Sequence, residues 1–76
     1  MRLTPIPGKK LIKLLNLLGY LEVRHKGSHA ILENAQTKKI TIVPIRSKDV
    51  GVGLILVILR EVGISREEYF ELLKKI

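Results

Sequence analysis

Leu11, Leu14, Leu15 and Leu18 recur at helical spacing while Lys9, Lys10, Lys13 and Asn16 collect on the other side, so the pattern predicts an amphipathic helix from Lys9 to Leu18. Pro5 and Pro7 stand before it, and Gly19 stands where a left-handed residue commonly closes a helix. From Tyr20 to Ile45 the period falls to two. Leu21 and Val23 are expected on one face of a first strand, with Glu22 and Arg24 on the other. Gly27 and Ser28 permit a tight turn, a second strand covers His29 to Glu33, and a polar loop from Asn34 to Lys39 leads to a third strand over Ile40 to Val43. Pro44 ends that strand or confines it to a sheet edge, because proline donates no ladder hydrogen bond.

Beyond Arg46 to Lys48, Asp49 is the expected N-cap of a second helix running to about Val62 and closed by Gly63. Ile55, Ile58, Leu59 and Val62 suffice for one core face. Leu54, Leu56 and Val57 widen the apolar surface to flanks where an exposed helix carries charge. Ser65 and Glu68 form an S-x-x-E capping box that opens a last helix, with Tyr69, Leu72, Leu73 and Ile76 on one stripe. The order is α-β-β-β-α-α, an α+β class, with the three strands antiparallel. Either the third helix covers the extra apolar residues of the second or another chain does.

The chain has 76 residues, so residues 1–76 are expected to form a single domain, and 46% hydrophobic content excludes a disordered chain. It has no Cys, hence no disulfide, thiolate nucleophile or sulfur-ligated metal site. The apolar run from Val52 to Leu59 is too short to cross a bilayer, and there is no secretory pattern, so a cytoplasmic location is expected. Charge sharpens the picture. The net charge is +7, and ten of the fourteen Lys and Arg but only two of the seven acids precede Asp49. That asymmetry favours a polyanionic partner, nucleic acid before an anionic membrane, because neutralised phosphates release counterions.

No phosphate loop, dinucleotide fingerprint or metal-ligand cluster is present, so no cofactor is expected. His25 and His29 have a zinc-like spacing, but the Gly27-Ser28 turn between them keeps the two off a shared helical face. Lys26-Gly27-Ser28-His29 remains, in the most basic part of the chain. An imidazole can take the proton of a ribose 2′-hydroxyl, whose oxygen then attacks the adjacent phosphorus while nearby cations such as Arg24 and Lys26 stabilise the growing charge. Gly27 lets the backbone approach a phosphate closely.

Gly8-Lys9-Lys10-Leu11-Ile12-Lys13-Leu14-Leu15 with Leu18-Gly19-Tyr20, then Val23-Arg24-His25-Lys26-Gly27-Ser28-His29, then Ile42-Val43-Pro44-Ile45, and finally Gly53, Ile58-Leu59 and Val62-Gly63-Ile64-Ser65, resemble in order the HicA or YcfA-like family of RNA-cleaving toxins. The resemblance implies a fold like a double-stranded RNA-binding domain, with helices on one face of a three-stranded antiparallel sheet. It implies that His29 is the catalytic residue, that messenger RNA is the substrate, and that a HicB-type antitoxin masks the site. RNA contacts are then expected from Arg24, Lys26, Gly27, Ser28 and Arg46, with no metal and no membrane partner. The sequence departs from the family pattern in two places. Arg46 stands where many members carry a histidine, and Leu56 and Val57 replace commonly polar or basic positions. The antitoxin or a homodimer through Leu54, Leu56 and Val57 are the expected coverings of the second helix. A non-catalytic RNA-binding module with the same fold is the alternative to a ribonuclease, and a pure protein-interaction subunit a weaker third.

Overall fold

In the computed structural model, which describes residues 2–46 and 48–76, the elements follow the order α1 (Gly8–Leu17), β1 (Tyr20–Lys26), β2 (His29–Asn34), β3 (Ile40–Pro44), α2 (Val52–Val62) and α3 (Arg66–Leu73). This is the expected α-β-β-β-α-α order. α1 starts just after Pro7, its N-cap, whose ψ of 142° is extended, and ends before Gly19, which takes a φ of 91°. Its Leu11, Leu14 and Leu15 are fully buried, each stabilising the fold by roughly 1.5–3 kcal/mol. The predicted lysine stripe is exposed.

The three strands form one antiparallel sheet in the order β1-β2-β3, so both outer strands are edges. Ala30, Leu32, Thr41 and Val43 face the helices and are buried, while Ile40 and Ile42 lie exposed on the open face. Thr41 Oγ1 donates to Glu61 Oε1 at 3.1 Å, which ties β3 to α2.

Two expectations are corrected. The simple alternation of β1 fails, because the register slips between Glu22 and Arg24. Leu21 pairs with Glu33 and Glu22 with Leu32, but Arg24 pairs with Ile31, leaving Val23 as the extra residue of a bulge. Arg24 thereby shares the open face with Leu21 instead of opposing it. The second correction concerns Asp49, which does not cap α2. The cap is Gly51, without a side-chain hydrogen bond, because Val50 is held in a bridge to Ile6 with Val50 N–H donating to Ile6 O at 2.7 Å and Ile6 N–H to Val50 O at 3.2 Å. Chain pinned at residue 50 starts its helix only after the bridge.

α2 ends as expected at Gly63, whose φ is 77°, and buries Ile55, Ile58 and Leu59. α3 opens on the predicted capping box, with Glu68 N–H donating to Ser65 Oγ and Ser65 N–H to Glu68 Oε1. It sends Tyr69 into the common core at 1% exposure, where burial pushes the phenol above its ordinary 10.0. α3 nevertheless leaves Leu54, Leu56 and Val57 uncovered, at 39%, 39% and 46% exposure. Among the described residues no helix is long and apolar enough to cross a membrane.

Candidate active site

Gly27-Ser28 forms the two-residue connection between β1 and β2, with Lys26 directly opposite His29. Gly27 has a φ of 60° and Ser28 has no positive φ, the type II′ pattern that matches the twist of paired strands. The space around Gly27 is open, with no heavy atom of another segment within 4 Å of where a Cβ would stand. On the other side of β2, His29 faces Pro44, the last residue of β3. The hairpin end of the sheet thus collects Lys26, His29 and Pro44 in one row.

Arg46 joins them from the segment after β3. Ile45 N–H donates to Ser28 O at 2.7 Å, and Arg46 Nε donates to Ser28 Oγ at 3.0 Å, fixing the guanidinium beside the turn. Arg24 lies on the same open face, two residues from Lys26 and next to the bulge at Val23. All of these cations are exposed, as is His29. The His29 ring makes no hydrogen bond to another described residue and is open to solvent on that face.

His25 is separated from this group. It pairs with Ala30, whose side chain is buried among the helices, so His25 projects from the opposite face of β1. Its Nδ1 lies 3.0 Å from Glu22 Oε2, a contact between exposed side chains. The two-residue turn alone separates the two histidines, since it pairs Lys26 with His29 and His25 with Ala30 on the other face. Among the described residues no group of three or more His, Asp or Glu could hold a metal ion.

One supporting contact was absent from the sequence reading. A Cβ on Gly8 would overlap the Pro44 carbonyl oxygen, so the first turn of α1 lies directly under the end of β3 that faces His29. A glycine at a helix start just after Pro7 is the only local sign of so close an approach.

The chemistry of the group is therefore an imidazole on an open surface with Lys26 and Arg24 on its side of the sheet and Arg46 held at the adjoining turn, while Glu22 faces away. Cations and turn amides around one imidazole suit an anionic, phosphate-bearing ligand. A search of curated proteins found no match. A family model described as the HicA toxin of bacterial toxin-antitoxin systems matches residues 8–64, a span that holds α1, the whole sheet, α2 and every residue of the site. On that match over most of its length, the chain belongs to the HicA family of toxins of bacterial toxin-antitoxin systems.

Proposed function

We propose that this toxin is a metal-independent endoribonuclease that cleaves messenger RNA in the cytoplasm, with His29 as its catalytic residue. The observation that carries the reading is the register of the β1-β2 hairpin, which sets Lys26 opposite His29, together with the Ser28–Arg46 hydrogen bond beside it. The His29 imidazole takes the proton of a ribose 2′-hydroxyl. The freed oxygen attacks the adjacent phosphorus, the bond to the 5′-oxygen breaks, and that leaving oxygen takes a proton from water, to which the imidazolium gives back its own, leaving a 2′,3′-cyclic phosphate and a 5′-hydroxyl. Arg24, Lys26 and Arg46 stabilise the charge that grows on the phosphoryl oxygens, and the amides of Gly27 and Ser28 add donors.

Few aromatic residues are available to stack bases, the chain having only Tyr20, Tyr69 and Phe70, and Tyr20 and Tyr69 are buried. Recognition therefore rests on backbone and shape. Family membership implies an antitoxin as the toxin's partner, and a HicB-type protein is the one proposed.

Cleavage of RNA by the purified protein in the presence of a chelator tests the reading. His29→Ala should lower the rate by on the order of 100- to 10,000-fold, the usual worth of positioned acid-base catalysis, with an unchanged thermal melt because the ring is exposed. His25→Ala should stay within a few-fold of wild type, since that ring lies on the far face. Undiminished cleavage by the His29 variant would sink the mechanism and leave the non-catalytic RNA-binding module.

A further inference from the structure

β3 is an edge strand, and its exposed edge runs beside an apolar groove. Ile40, Thr41 and Ile42 of β3 and Leu54, Val57, Ile58 and Glu61 of α2 line that groove. The hydrogen bonds at the two ends of the β2-β3 ladder, Asn34 N–H to Lys39 O and Ile45 N–H to Ser28 O, fix which groups point inward. By the alternation of an antiparallel ladder, Thr41 and Val43 bond to β2, while the N–H and C=O of Ile40 and Ile42 point out from the edge, and the Pro44 carbonyl beyond them is covered by Gly8 of α1. A row of free backbone groups beside exposed apolar side chains is a template for another strand.

Charge identifies the occupant. Lys38 and Lys39 flank one end of β3 and Arg46 and Lys48 the other, all exposed. A second copy pairing antiparallel through β3 would set the Lys38-Lys39 end of one chain against the Arg46-Lys48 end of the other, opposing cations at both ends of the contact between two molecules of charge +7. An extended segment with apolar alternate residues and carboxylates at its two ends meets the same surface without repulsion.

We propose that the free edge of β3 and the groove against α2 form the docking site for an extended acidic segment of the antitoxin, which adds as a fourth strand to the sheet. The proposal rests on the toxin reading above and gives it a regulatory route. A strand laid along β3 ends beside Pro44 and Arg46, so a carboxylate there pairs with the cation beside the His29 turn and withholds it from phosphate.

The experiment is amide hydrogen exchange on the wild-type protein, free and bound to its co-expressed antitoxin, with RNA cleavage measured on the free protein in parallel. In the free protein the amides of Ile40 and Ile42 should exchange fast and those of Thr41 and Val43 slowly. Binding should slow Ile40 and Ile42 by about tenfold or more. Val57→Glu, which puts a like charge in the groove, should weaken antitoxin binding by about 100-fold, whereas Leu17→Glu on exposed α1 should change it less than about threefold. Both variants should cleave RNA as wild type does, and the wild-type exchange data stand even if Val57→Glu fails to fold. Antitoxin binding that leaves Ile40 and Ile42 fast, no antitoxin binding at all, or protection of both amides in a self-associated free protein overturns the proposal. Protection of both amides by the antitoxin with no RNA cleavage by the free protein overturns the ribonuclease reading alone.

Discussion

Gly8 shows how one missing side chain supports the site. The first turn of α1 lies against the Pro44 carbonyl, and Pro44 in turn faces His29 across the β2-β3 ladder. Gly8→Ala forces a methyl group onto a backbone oxygen that cannot rotate away, so α1 or the end of β3 must shift. The expected cost is about 1–3 kcal/mol, the range for overpacked sites, read as a lowered midpoint in denaturant. RNA cleavage should fall as well, because the displaced strand end carries Ile45 and Arg46. By contrast, Gly27→Ala meets no atom of another segment, and its cost is confined to the left-handed φ of 60°.

At the scale of elements, the bulge in β1 resets the facing of the strand's far half, so that Leu21 shares the open face with Arg24. Val23 is the residue without a partner, and the pairs on either side of it, Glu22 with Leu32 and Arg24 with Ile31, are those of a continuous ladder once it is removed. Deleting Val23 should therefore leave a regular strand that keeps Lys26 opposite His29 and Arg24 on the open face, detectable as retained cross-strand NOEs between Lys26 and His29. Loss of those NOEs would show that the bulge is needed to seat the strand. The same element shows where sequence reading stops. Gly19, the Gly27-Ser28 turn, Gly63 and the Ser65-Glu68 box were legible because each signal is local and acts through the backbone of its own segment. The bulge at Val23 and the late start of α2 were not, because both answer to partners far along the chain, the β2 ladder and Ile6. The site followed suit. His29 and Lys26 were readable from one motif, whereas the alliance of Arg46 with Ser28 depends on a hydrogen bond between residues eighteen apart.

Across the whole molecule, the charge placed before Asp49 takes a definite geometry. Arg24 and Lys26 lie on the side of the sheet that His29 faces, Arg46 is bonded to Ser28 at the adjoining turn, and Lys74 sits on the α3 cap with its ammonium 3.1 Å from Glu71. RNA binding by the His29→Ala protein should weaken steeply as salt rises. Neutralising Arg24, Lys26 or Arg46 should reduce the slope of log K against log salt by about one each, and neutralising Lys74 or Lys75 should leave it unchanged. Equal slopes for the two groups would refute this placement of the RNA path. α3 belongs to the same core even though it lies beyond residues 8–64, since Tyr69 is buried in one cluster with Leu11 and Leu32. Removing the chain after Ile64 would open that core rather than trim an appendage.

The bridge between Ile6 and Val50 also has a consequence for how the chain folds. It joins residues separated by more than half the chain, whereas the β1-β2 hairpin joins neighbours. Loop closure of that length is entropically costly, so the hairpin and its packing on α1 can form first and the bridge closes late. Val50 is nearly fully buried, at 2% exposure, and its truncation removes core contact as well as support for the bridge. Val50→Ala should accordingly speed unfolding while leaving the refolding rate close to wild type in stopped-flow chevrons, the mark of a contact made after the barrier has been crossed. The segment that carries Arg46 would then be the last part of the site to assemble and the first to let go.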